Sequence, residues 1–126
     1  MSWTNFTLEE FDCSHCGENR MSTNLIDDLQ ELRDICGFPF IITSGYRCKD
    51  HPIEKKKLAP GPHQTGLAVD IAVSGAHALL ILAASIEAAI WTGYGLDQRG
   101  DINERFIYLD QCEEGPNRPR PTIFTY

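Results

Sequence analysis

Only two stretches of this chain carry a helical period, and glycine and proline cut the remainder into short runs. Between Asn24 and Cys36, Leu25, Ile26, Leu29, Leu32 and Ile35 fall on one helical face, while Asp27, Asp28, Glu31 and Arg33 fall on others. Ser22 precedes that segment as a candidate N-cap and Gly37 follows it in the favoured stop position. Ala76 to Ile90 forms the second helical stretch. It is alanine-rich and nearly uncharged, which predicts a helix packed on several sides. Thr7-Leu-Glu-Glu10 fits a capping box and predicts a short helix near the start. The other apolar runs are too short for helices. Phe38 to Thr43 reads as a buried strand, and Leu67 to Ile71, Arg105 to Asp110 and Thr122 to Thr125 read as three more. Gly93 and Gly95 read as breakers ahead of the third. Ser44 to Gly66, polar and punctuated by Gly45, Pro52, Pro60, Gly61 and Pro62, reads as a long loop, a feature that inside a compact domain is usually functional or disordered. This order predicts an α+β fold with a small, mainly antiparallel sheet and helices packed on it, in one domain over residues 1–126.

A formal charge of -7 disfavours nucleic acid as a partner, because neutralising phosphates needs a basic surface. Membrane insertion is not expected either: the longest apolar stretch, Ala76 to Trp91, is broken by His77, Ser85 and Glu87. Met1 to Glu10 has neither a basic n-region nor an apolar h-region, so synthesis in the cytoplasm without a signal peptide is the expectation. The cysteines Cys13, Cys16, Cys36, Cys48 and Cys112 number five, so they cannot all pair within one chain, and reduced thiols are expected. Cys13-Ser-His15-Cys16 has the spacing of a zinc-knuckle fragment, but no second pair adjoins it in sequence. Cys48 could approach it in space as a metal corner or a disulfide. Buried free thiols are the simpler reading.

Chemistry concentrates around Asp70. A carboxylate inside the apolar run Leu67-Ala-Val-Asp-Ile71 is expensive to bury unless it is paired or bound to a cation. Strand alternation puts Ala68 and Asp70 on one face. The small alanine leaves room beside the carboxylate, and Gly66 allows a tight turn before the strand. His63 lies at the end of the preceding loop. An imidazole nitrogen with a carboxylate oxygen suits Zn²⁺, which in a catalytic site needs a third protein ligand and an open position.

Gly61-Pro-His63-Gln-Thr-Gly66-Leu-Ala68-Val-Asp70 resembles the Ser-x-His-x-x-Gly-x-Ala-x-Asp signature of zinc D-alanyl-D-alanine carboxypeptidases and phage L-alanyl-D-glutamate endopeptidases, within the hedgehog/D,D-peptidase superfamily. Ser44-Gly-Tyr-Arg47 resembles a second segment of that family, and Phe6 to Phe11 and Phe106 to Asp110 match in place and order. The resemblance implies a peptidoglycan-hydrolysing zinc metallopeptidase that cuts stem-peptide bonds next to D-amino acids, as a phage endolysin or virion-associated lytic protein. It would act at the cell wall after lysis or as part of a virion, with the stem peptide and other virion proteins as partners. His63 and Asp70 would be metal ligands, and Arg47 would hold a substrate carboxylate or the developing oxyanion. There are two departures. Gly61 stands where the family usually has serine, and Tyr108 stands where it has the histidine expected as third ligand. Either Tyr108 ligates as a phenolate, or Asp110 substitutes, or the site holds no metal. In the last case the chain is a catalytically degenerate virion or cell-wall-binding protein on the same fold. Asp110 and Glu104 are the candidate general bases, with Asp110 favoured as sharing a strand face with Tyr108.

Overall fold

The computed structural model describes residues 2–126. Its elements in order are helix α1 (Thr23–Cys36), strand β1 (Ile41–Ser44), strand β2 (Ala68–Ala72), helix α2 (Gly75–Ala88), then strands β3 (Gly93–Asp97), β4 (Phe106–Asp110) and β5 (Thr122–Thr125). Short 3-10 turns occupy Leu8–Phe11, Glu54–Lys56 and Ile102–Glu104. The five strands form one sheet in the order β1-β2-β4-β3-β5, antiparallel throughout except for the parallel pair β3 and β5. This is the expected α+β class, consistent with a small hedgehog/D,D-peptidase-like domain. No helix among the described residues is long and apolar enough to cross a membrane.

The caps of α1 explain its limits. Ser22 Oγ accepts from the Leu25 N–H at 3.3 Å, and Gly37 closes the helix in the left-handed region at φ 80°, its N–H donating to the Arg33 carbonyl. Leu25, Ile26, Leu29 and Leu32 face inward and meet Val69 and Ile71 of β2 and Ile107 and Leu109 of β4 in the main core. Alternation therefore divides the sheet. Odd-numbered residues of β2 and β4 face the helices, and Ala68, Asp70, Tyr108 and Asp110 face the other way. Burying the four α1 side chains contributes roughly 6–12 kcal/mol before conformational entropy is counted.

Three expectations are corrected. The first strand is not buried: β1 lies at the sheet edge, and Ile41 is 64% exposed. Helix α2 packs on one side only. Ala78, Ile81 and Ser85 are buried, while Leu79, Leu80 and Ile86 are exposed. Gly93 and Gly95 do not break the chain; they belong to β3, on the face away from the helices. A Cβ on Gly93 would collide with the Asp110 carboxylate, and one on Gly95 would lie 2.7 Å from the Phe124 ring. The missing side chains make room for neighbours, which is why this strand carries little β-propensity of its own.

Gly93→Ala should therefore lower stability by about 1–3 kcal/mol through overpacking. Urea denaturation with an unchanged slope would show this, and an unaltered midpoint would contradict the close approach to Asp110.

Candidate active site

The face of the sheet turned away from the helices carries the site. Asp70 on β2 pairs directly with Tyr108 on β4, and Ala68 with Asp110, so the side chains of both rungs project to one side. A bulge in β1 sets the approach of the next segment. Ile42 pairs with Ile71 but Ser44 with Asp70, which places one extra residue, Thr43, between them. The chain then runs along the N-terminal segment. The Tyr46 N–H donates to the Phe11 carbonyl at 2.9 Å, and a Cβ on Gly45 would sit 2.7 Å from the Phe11 Cα. Only glycine permits that contact. From there Arg47 reaches back to the sheet. Its Nε donates to Ser44 Oγ at 3.0 Å, and its two terminal nitrogens approach Glu54 Oε2 and Asp70 Oδ2, both at 3.4 Å.

The Ser44–Gly66 segment returns His63 to the same place. Its ring is buried, and Nδ1 lies 2.9 Å from the Gly45 carbonyl. A carbonyl can only accept, so Nδ1 carries a proton and Nε2 is the ring nitrogen left to face Asp70. Nε2 lies 3.4 Å from Asp70 Oδ1, a buried oxygen with no hydrogen-bond donor. Arg47, His63, Asp70 and Tyr108 thus converge.

Tyr108 and Asp110 form a second cluster. The Tyr108 hydroxyl donates to Asp110 Oδ2. Arg120 grips the same carboxylate with two bonds, Nε to Oδ1 at 3.1 Å and Nη2 to Oδ2 at 2.6 Å. The Cys112 N–H also donates to Oδ1 at 3.2 Å, while the single Thr92 hydroxyl proton goes to the nearer Cys112 carbonyl at 2.7 Å. Asp110 is fully buried and its oxygens are saturated with donors, which leaves no lone pair to take a proton from water. Glu104, the other acidic candidate, is exposed in the 3-10 turn before β4 and does not line the cleft.

A cleft of about 420 Å³ opens between the clusters. Arg47, Lys57 and Arg120 line it beside His63, Tyr108 and Phe124, whereas Glu54, Asp70 and Asp110 lie behind the wall. Glu54 and Arg120 are among the residues not foreseen from sequence. Each is defined by a partner distant along the chain or by a loop conformation, and neither stands in a recognisable local pattern. Glu54 is buried between Arg47 and Lys57, whose Nζ donates to its Oε2 at 3.1 Å.

A catalytic zinc takes three protein ligands and keeps a further position for water. His63 and Asp70 fit two of these roles, since one offers a free nitrogen with its other nitrogen anchored and the other an orphaned oxygen. Tyr108 does not fit the third. Its hydroxyl is committed to Asp110 Oδ2, and burial and then the neighbouring Asp110 push the phenol well above the ordinary tyrosine value, both of which oppose a phenolate ligand. His63 and Asp70 are thus two fitting donors, one short of the three that a catalytic zinc takes.

On the face of the mixed five-stranded sheet opposite the two helices, Asp70 of β2 thus meets Arg47 and His63 from the segment between β1 and β2. The chain belongs to the Peptidase M15 family, which it matches over residues 4–110. That family is one of metallopeptidases, hydrolases directed at peptidoglycan. No curated protein and no solved structure matches the chain.

The Glu54 carboxyl offers a test of the cationic wall. Burial acts to raise its pKa, but hydrogen bonds and charges from Lys57 and Arg47 outweigh this and hold it below the ordinary glutamate value. Because the folded pKa is depressed, its contribution to stability is present above the unfolded value of about 4.3 and is lost as pH falls through the folded value. Urea midpoints of the native chain and of Glu54→Gln should differ near neutral pH and converge in acid. A difference that does not vary with pH would show that the charge is not what holds Arg47 and Lys57 there.

Proposed function

We propose that this chain is a peptidoglycan-directed M15 protein whose cleft binds the carboxylate-bearing stem peptide next to a D-amino acid, without a working hydrolytic centre. One observation carries the reading: the third ligand position holds a neutral phenol tied into the Tyr108–Asp110–Arg120 cluster. The wall supports the binding half. Arg47, Lys57 and Arg120 face the cleft and the carboxylates that pair with them do not, so the surface favours an anionic ligand. Phe124, Tyr126 and Pro62 supply apolar contacts for short side chains such as alanine. Arg47 is the centre of that recognition, since Ser44, Glu54 and Asp70 fix its guanidinium from three sides. The setting we propose is a phage or prophage, with the protein reaching the wall on a virion or after lysis, as the likeness to phage endopeptidases implies.

A second reading keeps hydrolysis of the stem peptide, as a lytic zinc peptidase. The orphaned Asp70 Oδ1 beside the His63 Nε2 favours it, because a buried carboxylate oxygen without a donor is what a cation would satisfy.

Purified cell-wall sacculi separate the two. The native chain should pellet with sacculi and release no muropeptides, and Arg47→Ala should weaken pelleting about 10–100-fold, the loss expected for one charged hydrogen-bonding group. Tyr108→His should convert the chain into one that releases muropeptides in a chelator-sensitive way. Chelator-sensitive release by the native chain would establish the second reading instead.

A further inference from the structure

Outside the cleft, the structure gathers three thiols. The sulfurs of Cys13, Cys16 and Cys48 all lie within 4.8 Å of one another. Cys13 and Cys48 are buried, and no disulfide joins any of the three. Four ligands about 2.3 Å from a tetrahedral zinc sit about 3.8 Å apart, so closing this cluster on an ion needs movements of about 1 Å or less.

The backbone around the cluster is shaped for thiolates. In Cys13-Ser-His-Cys16-Gly17, the glycine takes the left-handed conformation at φ 76°. The turn is closed by the Gly17 N–H on the Cys13 carbonyl and the Cys13 N–H on the Glu18 carbonyl, both at 2.8 Å. Gly17 thereby directs the Glu18 N–H at Cys16 Sγ, 3.4 Å away. From the other side the Cys48 N–H donates to Cys13 Sγ at 3.3 Å. Backbone donors aimed at sulfur are what a metal-bound thiolate needs, and three thiols this close together offer a ready ligand set for a cation. Soft sulfur ligands in this number select zinc among the common divalent ions.

We propose that Cys13, Cys16 and Cys48 hold a structural Zn²⁺, with His15 as the fourth ligand. His15 lines the same cleft, of about 480 Å³, as Cys16 and Cys48, and it is exposed and free to turn. His51 is excluded because its Nδ1 accepts from the Ile53 N–H, which leaves the proton on Nε2, near Ser14. The ion would act as a staple. It joins the knuckle after the first 3-10 turn to the residue next to Arg47, and so fixes the arginine from a cleft that shares no lining residue with the peptide cleft. The inference stands independently of whether the M15 cleft binds or cleaves.

The test uses the full chain purified under reducing conditions without chelator. Elemental analysis should find about one zinc per chain. Cobalt exchanged into the site should show sulfur-to-metal charge-transfer absorption, which imidazole and carboxylate ligands alone do not give. The signal should survive Asp70→Asn, His63→Ala and Cys36→Ser, disappear in Cys48→Ser, and weaken in His15→Ala. If Cys48→Ser fails to fold, the cobalt spectrum of the native chain still decides. The proposal is overturned if the metal is lost in Asp70→Asn and retained in Cys48→Ser. It is also overturned if the native chain binds no metal with all its thiols titratable, or if mass analysis finds two hydrogens missing as a disulfide. An unchanged signal in His15→Ala would remove His15 from the ligand set.

Discussion

The buried Asp110 carboxylate holds the functional face of the molecule together. It lies on the last residue of β4, beneath the start of β3, and it receives donors from Tyr108, Cys112 and Arg120. Those residues reach it from its own strand, from the segment just after it and from the turn before β5. A buried carboxylate is costly unless its hydration is replaced, and here a bidentate guanidinium and a backbone N–H take the place of water. Removing one partner of such a pair typically costs roughly 3–5 kcal/mol, since the other charge is left stranded. The pair also explains the glycine at position 93, where any side chain would occupy the space of the carboxylate.

That arrangement determines what Tyr108 can be. A histidine at this rung of the sheet would aim its ring toward Asp70, the residue directly opposite on β2. The longer tyrosine carries its polar atom farther along the face and finds Asp110, with its ring against Phe124 at a centroid distance of 5.2 Å and against His63 at 5.5 Å. The hydroxyl is satisfied there and has no reason to ionise. Tyr108 thus adds a hydrogen bond to the Asp110 cluster.

Much of this was legible in the sequence, and the exceptions share a cause. Helix α1 could be read because its cap, period and stop agree, and the convergence of His63 with Asp70 followed from one short motif whose loop and strand lie next to each other in the chain. Strand β3 could not be read, because Gly93 and Gly95 are set by Asp110 and Phe124, and the register that brings them together is not encoded locally. Asp110 was legible as a residue on the same face as Tyr108 but not as a saturated one, since Arg120 reaches it from beyond a turn with no regular pattern. Glu54 was hidden in a polar loop, where an ordinary lysine-rich run gave no sign that the carboxylate would be buried.

The short segment Tyr46-Arg47-Cys48 shows how local geometry serves two sites at once. Tyr46 and Cys48 line one cleft and Arg47 lines the other, as alternation along an extended backbone requires. An arginine useful for recognition must be held still, because a free guanidinium loses conformational entropy each time it binds. Here the neighbours on either side are anchored to the N-terminal segment through the Phe11 carbonyl and the Cys13 sulfur, while Ser44, Glu54 and Asp70 anchor the side chain itself. The rigidity of Arg47 therefore comes from both faces of its own strand-like segment. Its backbone neighbour is tied to Cys13 behind it, and its side chain to the carboxylates in front.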